Sequence, residues 1–246
     1  MKRSEINTYI EEAIEFFAKH HFPLPAFAHW SKETWEKIGP EANEIRRHLL
    51  GWDITDFCSG DFESVGLTLF TLRNGDALKA RSKKCYAEKI MHVREQQLTP
   101  LHLHYRKTED IINRGNVKTG NLAVRLYNST EDHNLADTQV SVVCDGVMRK
   151  VKAGDTIILR PGDSITIPPK LYHSFHAVDG PALIGEVSSV NEDAKDNHFY
   201  PSLPRFPEII EDADPVRLLC TEYPNPKSSL PHSPFTYRFR DHAKNT

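Results

Sequence analysis

The sequence has 246 residues, which is enough to bury a substantial core, and all-β barrels of this length are commonly a single domain. Its 31 basic and 34 acidic residues give a formal net charge of −3, so no broad cationic surface is expected for a nucleic acid. Residues 1–21 carry acidic side chains throughout and no uninterrupted apolar stretch, which argues against a signal peptide or membrane span there. We therefore expect a cytoplasmic protein without nucleic-acid or membrane partners.

The first fifty residues predict a helical N-terminal extension. Through residues 4–20 apolar side chains recur at helical spacing, and Ser4 is available as the helix cap. Shorter helices are predicted from Ser31 and over residues 41–50, where Gly51 would end the helix. The apolar positions of the first helix are Ile6, Ile10, Ala13, Ile14 and Phe17.

Residues 51–190 have a different pattern of short runs rich in β-branched and aromatic residues, divided by Gly, Asn, Asp and Pro. Asp145-Gly146 between two such runs predicts a tight hairpin. Many short strands without a long helix between them predict a mainly β sandwich or barrel. Residues 191–246 are acidic and proline-rich, so we expect an irregular segment packed on the barrel or on a partner subunit. The whole chain, residues 1–246, is interpreted as one domain.

A candidate metal site begins with two histidines on one predicted strand. Because side chains alternate along a strand, His102 and His104 lie on the same face, about 7 Å apart. Glu109 lies an odd number of residues beyond His104, so the chain must turn near residues 106–107 to bring its carboxylate back. His173 follows a glycine- and proline-rich segment and supplies a fourth ligand. Three imidazoles and one carboxylate, with no thiolate, suit Mn²⁺, Fe²⁺, Co²⁺, Ni²⁺ or Zn²⁺.

The grouping of these residues carries the prediction, because a histidine taken alone is more often a surface or core residue than a metal ligand. The remaining histidines have no other ligand-type residues at a suitable spacing, and most are interpreted as structural or surface residues. Among them, His92 and His198 are kept as secondary candidates for the site.

The two segments resemble the paired motifs of the cupin family, which implies a jelly-roll β-barrel. Lys170 stands where the second motif usually has glycine. The first motif corresponds to His102, His104, Glu109 and Gly115, and the second to Gly162, Pro168 and His173.

Over most of its length the chain resembles the bacterial D-lyxose isomerase family of cupin sugar isomerases. The resemblance is carried by strings such as GLTLFTLRNG, KCYAEKIMHVRE, PPKLYHSF and GEVSSVNED. It implies interconversion of D-lyxose and D-xylulose, with D-mannose and D-fructose as a further pair and L-ribose as a substrate of related members. It also implies one divalent metal ion per subunit, usually Mn²⁺, and a homodimer. By position, the family's metal ligands correspond to His102, His104, Glu109 and His173, and its catalytic residues to Lys107 and Glu186.

The residues are consistent with that chemistry. Moving a carbonyl between C1 and C2 requires removal of a proton beside the carbonyl and its return to the neighbouring carbon through a cis-enediol. Glu186, on the strand after the His173 segment, is the expected proton shuttle; the alternative is an exposed or ion-paired glutamate. Lys107 is expected to donate to the developing oxyanion or relay a proton between O1 and O2; the alternative is a solvated loop lysine. Candidate hydroxyl binders are Lys89, Gln97, Asp193 and Arg205.

Two other functions stay open at this point. An Fe²⁺ cupin dioxygenase would use the same four ligands but would need oxygen, so its activity would disappear under anaerobic conditions. A non-enzymic sugar-binding cupin would retain the barrel but would not incorporate solvent hydrogen into the sugar.

Overall fold

The computed structural model describes residues 1–76 and 84–226. The α-helices are α1 (Arg3–Lys19), α2 (Lys32–Lys37), α3 (Asn43–Arg47) and α4 (Asp193–Asp196), and 3₁₀ helices cover Ala26–His29 and Pro40–Ala42. The strands are β1 (Gly51–Thr55), β2 (Leu67–Arg73), β3 (Tyr86–Val93), β4 (Thr99–His104), β5 (Glu109–Asn113), β6 (Asn121–Ser129), β7 (Leu135–Ala136), β8 (Val140–Cys144), β9 (Val147–Val151), β10 (Thr156–Leu159), β11 (Ser164–Ile167), β12 (Leu171–Val178), β13 (Ala182–Ser189) and β14 (Asn197–Phe199).

The strands form two antiparallel sheets. One sheet has eight strands in the order β1-β2-β3-β13-β5-β11-β8-β9, and the other has the order β10-β6-β12-β4-β14 with β7 beside β6. The main core lies between them, where Met91 and Ile184 of the first sheet belong to one buried cluster with Val124 and Phe175 of the second. The prediction of a mainly β barrel is therefore confirmed, and so is the hairpin at Asp145-Gly146, which joins β8 to β9.

Helix α1, in the helical N-terminal extension, packs on the outer face of β1, β2 and β3 in the eight-stranded sheet. Ile10 and Phe17 lie in a second buried cluster with Trp52, Phe70 and Ile90. Because Phe70 and Ile90 each adjoin a residue that faces the main core, the β2–β3 part of this sheet is buried on both faces. Among the described residues, no helix is long and apolar enough to span a membrane.

The start of α1 differs from the prediction, because Ser4 is not its cap. The helix begins at Arg3, and the backbone N–H of Lys2 donates to Glu5 Oε2 at 2.9 Å. The N–H and hydroxyl of Ser4 instead donate to the Asp212 carboxylate at 2.9 and 2.7 Å. This contact joins segments far apart in the chain, so no local pattern predicts it.

The later helices are shorter than predicted. Ser31 does cap α2, accepting from Thr34 N–H at 3.4 Å. However, α3 ends at Arg47, and Gly51 is the first residue of β1 rather than the end of a helix. Gly51 has a φ of 120°, and an added Cβ would lie 1.9 Å from the Tyr223 hydroxyl oxygen, so this position requires glycine.

The chain after β13 returns to α1. Arg3 is only 2 % exposed, and its guanidinium donates to Glu211 at 2.9 and 2.7 Å and to Glu222 Oε2 at 3.3 Å. A buried guanidinium is tolerated because two carboxylates surround it. The part of 191–246 that is described is not entirely irregular as expected, since it contains α4 and β14; residues 227–246 lie outside the described part.

Candidate active site

Four predicted metal ligands converge in the barrel interior. His102 and His104 lie on β4, and His173 lies on the neighbouring β12, directly opposite His102 in the ladder. The chain bends after His104 and crosses to the other sheet, where Glu109 is the first residue of β5. All four side chains are buried, and one ligand atom from each can be chosen so that all lie within 4.8 Å of one another.

The polar atoms of this cluster are those expected of a metal site. The Nδ1 atoms of His102 and His173 lie 2.8 and 3.2 Å from the carbonyl oxygens of Pro100 and Leu171. If Nδ1 donates its hydrogen to the carbonyl, each Nε2 carries a lone pair that can bind a metal ion in the site. His173 Nε2 is 2.8 Å from Glu109 Oε1, close enough for an ion pair, but the two atoms do not meet hydrogen-bond geometry. A cation between two such acceptors would remove their repulsion.

His104 supports the same assignment. Both of its ring nitrogens are buried and have no hydrogen-bond partner within residues 1–76 and 84–226, and its Nε2 is 3.4 Å from Glu109 Oε2. An unpartnered buried polar atom costs about 1–3 kcal/mol, which metal ligation would offset. Nitrogen and oxygen donors without thiolate fit a divalent transition metal, so these residues can hold one ion.

The electrostatic environment keeps the ligands in the protonation states that a metal needs. Burial, reinforced by His173 and His104, holds the pKa of His102 well below its usual range. Burial and the Lys107 ammonium lower the pKa of His104. Burial alone would raise the pKa of Glu109, but Lys107 and His104 outweigh it and hold that pKa well below its usual range. The imidazoles of His102 and His104 are thus favoured as neutral ligands and the Glu109 carboxylate as an anion.

Two lysines and a glutamate adjoin the ligands. Lys107 Nζ is 2.5 Å from Glu109 Oε2 and 2.9 Å from Glu186 Oε1, so one ammonium bridges a metal ligand and the expected proton shuttle. Lys89 lies opposite Glu186 in the β3–β13 ladder, with its Nζ 3.4 Å from Glu186 Oε1. The Asn191 amide oxygen accepts from Lys89 at 2.8 Å and lies 3.5 Å from Lys107. All three charged groups are buried, so Glu186 is not an exposed strand residue.

These groups line one cavity, which is partly open to solvent. Its other walls include apolar side chains such as Phe57 and Phe199, and Arg205 also lines it. The Arg205 guanidinium donates to Asp53 at 2.5 Å and lies over the Phe57 ring, 5.4 Å from its centroid. The cavity therefore combines the metal ligands, a buried acid–base group and an arginine within one enclosure.

Some predicted candidates lie elsewhere. Gln97 does not line this cavity, and its side-chain amide donates to the Phe62 carbonyl at 2.6 Å. His92 stacks on Phe16 of α1 at 4.1 Å between ring centroids, on the outer face of the sheet. His198 lies between the two cavity-lining residues of β14 and so points away from the cavity. Its Nδ1 atom is hydrogen-bonded to the Tyr105 hydroxyl at 3.0 Å. The side chain of Asp193 lies outside what the structure describes.

Two polar cavity residues were not predicted from the sequence. Thr99 Oγ1 and Asn197 Oδ1 are buried, line the cavity and have no hydrogen-bond partner among the described residues. Both are therefore available to bind a polar ligand. Asn197 belongs to a three-residue strand in a proline-rich segment, where no periodicity indicates its direction.

Lys170 occupies the position at which the second motif usually has glycine. It has a φ of 65°, a left-handed conformation that glycine adopts more readily. Its backbone N–H donates to the His104 carbonyl at 2.7 Å, directly before β12 begins. The departure in sequence therefore leaves the turn conformation intact and keeps β12 tied to the strand of the first two ligands.

An antiparallel barrel with three histidines and one glutamate at these motif positions defines a cupin. A family model described as D-lyxose isomerase matches residues 1–223. The chain belongs to the D-lyxose isomerase family.

Similar proteins agree with this assignment. The chain is 49 % identical over 226 residues to the D-lyxose/D-mannose isomerase of Escherichia coli O157:H7, covering 91 % of this chain and 98 % of that protein. It is 47 % identical over 226 residues to the Serratia proteamaculans protein of the same description, with the same coverage. Among solved structures, ligand-free L-ribose isomerase from Cellulomonas parahominis has a TM-score of 0.50 at 17 % identity, covering 85 % of this chain and 98 % of that chain. That similarity shows the shared fold.

Proposed function

We propose that the chain is a metal-dependent aldose–ketose isomerase that interconverts D-lyxose and D-xylulose, and also D-mannose and D-fructose. The observation that carries this proposal is the Lys107 ammonium, which lies 2.5 Å from the ligand Glu109 and 2.9 Å from Glu186 in one buried cavity. A sugar carbonyl held near the ligands would be close to both an ammonium donor and a carboxylate base. The close relatives named D-lyxose/D-mannose isomerase support the choice of substrates.

Different residues act on the carbon-bound proton and on the two sugar oxygens. A divalent ion held by His102, His104, Glu109 and His173 would supply a Lewis acid for the sugar oxygens. Glu186 removes the C2 proton of the aldose and delivers a proton to C1, so the carboxylate is regenerated in each turnover; between the two steps the proton on Glu186 can exchange with solvent. Lys107 donates a proton to O1 as the carbonyl becomes a hydroxyl and recovers the proton leaving O2. Lys89, 3.4 Å from Glu186, balances the carboxylate charge while it acts as a base.

The remaining assignments are part of the same proposal. The ion is proposed to be Mn²⁺, following the resemblance to the family; imidazole and carboxylate donors without thiolate are compatible with it. We place the enzyme in the cytoplasm and propose a homodimer, following the resemblance to the family. Lys89, Arg205 and Asp193 are proposed as hydroxyl binders, with Thr99 and Asn197 added because their unpartnered oxygens lie in the cavity. Gln97 is not included, because its amide bonds to the backbone outside the cavity.

D-Mannose should be a poorer substrate than D-lyxose. The two sugars share configuration at C2, C3 and C4, and the groups that act on C1 and C2 cannot distinguish them. Discrimination must come from the far end, where one CH₂OH-sized group changes binding by about 1–3 kcal/mol. Strong turnover of D-xylose with none of D-lyxose or D-mannose would contradict the proposed specificity.

The test is a panel of aldoses assayed for ketose formation with and without Mn²⁺, repeated under anaerobic conditions and in D₂O. We expect ketose from D-lyxose and D-mannose, loss of activity on chelation, unchanged anaerobic rates and deuterium in the product. Activity that requires oxygen would instead indicate a dioxygenase. Sugar binding without deuterium incorporation would indicate a binding protein.

A further inference from the structure

The loop of residues 105–108 connects the two halves of the candidate active site. It runs from His104 on β4 to Glu109 on β5, so a metal ligand lies at each end and Lys107 lies within it. The loop has no strand or helix hydrogen-bonding pattern of its own. Some other part of the molecule must therefore fix its backbone.

That part is the segment after β13, and above all Asp196 of α4. The Asp196 carboxylate accepts from Arg106 N–H at 3.0 Å through one oxygen and from Lys107 N–H at 3.0 Å through the other. Its carbonyl oxygen accepts from Tyr105 N–H at 3.1 Å. The fourth loop amide, that of Thr108, donates to Ser189 Oγ at 3.3 Å.

The contact is buried and directed at the backbone. Asp196 is 3 % exposed, and hydrogen bonds to an ionised carboxylate are stronger than those between neutral groups. The other acid at this loop behaves differently: the Glu192 carboxylate lies 2.8 Å from the Arg106 guanidinium and 3.4 Å from Lys195 Nζ, and the Arg106 side chain is 62 % exposed. The Asp196 carboxylate thus holds the main chain of the loop and also lies 3.3 Å from Arg106 Nε, whereas the Glu192 carboxylate forms ion pairs with side chains.

We infer that Asp196 is a positioning residue for catalysis, because it fixes the backbone from which Lys107 reaches Glu109 and Glu186. A lysine side chain is long and has many rotamers, so its ammonium stays in place only if both ends are held. Glu109, Glu186 and Asn191 surround the ammonium end, and Asp196 holds the backbone end. This inference rests on the proposed function, in which Lys107 moves a proton between the sugar oxygens.

The test compares Asp196→Ala and Asp196→Asn with Glu192→Gln at saturating Mn²⁺. A misplacement of about 1 Å can cost about 10²-fold in rate, so we expect Asp196→Ala to lower kcat by about that factor with little change in KM. Asp196→Asn keeps one acceptor but turns an NH₂ toward a backbone N–H, so we expect a smaller loss. Glu192→Gln should keep the wild-type kcat. Wild-type kcat in both Asp196 variants would overturn the inference.

A double variant separates positioning from general stability. In a Lys107→Ala background, Asp196→Asn should lower kcat no further, because the residue that it positions is already absent. An equal loss in both backgrounds would mean that Asp196 acts through the fold rather than through Lys107.

A crystal structure of Asp196→Asn gives a readout that does not depend on activity. The inference requires the Lys107 ammonium to leave its contacts with Glu109 and Glu186, and it fails if both contacts persist. If the wild-type chain does not isomerise sugars, the proposed function fails, whereas this structural result still decides whether Asp196 positions Lys107.

Discussion

Glu186 is a buried carboxylate with two ammonium neighbours. It is 5 % exposed, and Lys107 and Lys89 lie 2.9 and 3.4 Å from its Oε1 atom. Burying one unpaired charge would be strongly unfavourable, so the three groups depend on one another. Substitutions here should therefore preserve shape and hydrogen bonding if they are to report on chemistry rather than on folding.

Glu186→Gln meets that requirement. The amide oxygen can still accept from the two lysines, but the side chain can no longer take up the sugar's carbon-bound proton. We expect metal content to stay at the wild-type level and kcat to fall by about 10²- to 10⁴-fold, with a smaller effect on KM. Exchange of the sugar's C1 or C2 hydrogen with D₂O is the direct measurement.

The matched control for this change is Glu88→Gln. Glu88 lies on the adjacent β3, outside the cavity, and pairs with Arg73 at 2.9 Å. It should retain wild-type exchange. If Glu186→Gln also exchanges the C1 or C2 hydrogen at the wild-type rate, another residue is the base and Glu186 only supports the lysines.

The direction of side chains along one strand can be predicted from the sequence, but the pairing of distant strands cannot. Alternation along β4 places His102 and His104 on one face from their spacing alone. The pairing of His173 with His102, by contrast, depends on β12 lying beside β4, which joins residues about seventy positions apart. The motif resemblance supplied that link. Nothing comparable indicated that Asn197 would form an edge strand with His104, because three residues are too few for a periodic pattern.

His92, on the outer face of β3, should make the protein less stable in mild acid. Burial, with a smaller effect of Arg94, lowers the pKa of His92 from 6.5 to about 4. Below pH 6.5 the unfolded chain binds a proton at this position, while the folded chain stays neutral until about pH 4. Stability is therefore retained above the unfolded pKa and lost as the pH falls toward the folded pKa.

His92→Phe should remove this contribution. The ring would still stack on Phe16, but it has no proton to bind. Between about pH 7.5 and about pH 5 we expect the wild-type protein to lose about 2 kcal/mol more stability than the variant. Urea unfolding at fixed protein concentration measures the difference. Parallel losses in the two proteins would show that His92 is not the group responsible.

At the scale of the whole molecule, the metal ligands join the two sheets. His102, His104 and His173 belong to the six-stranded sheet, and Glu109 belongs to the eight-stranded one. An ion bound to all four would connect both walls of the barrel and would bind only the folded chain. Metal binding should therefore contribute to global stability as well as to activity.

Saturation with Mn²⁺ should raise the melting temperature above that measured in chelator. At about 100 times the dissociation constant the gain is about 2.7 kcal/mol, or about 5 to 10 °C for a chain of this size. His173→Ala should lose most of this difference and also lower the metal content. His176→Ala, on the same strand but outside the cavity, should keep both. An undiminished Mn²⁺ effect in His173→Ala would remove His173 from the ligand set.

The burial of Arg3 has a consequence for synthesis on the ribosome. Arg3 is translated before its acidic partners Glu211 and Glu222, which follow 208 and 219 residues later. At about 5–20 residues per second, roughly 10 to 40 seconds separate the two events. During that interval the two carboxylates that neutralise the buried guanidinium have not been synthesised, so we expect α1 to reach its final position on the sheet only after they appear. We therefore expect the apolar face that α1 covers to be exposed on the nascent chain for that time.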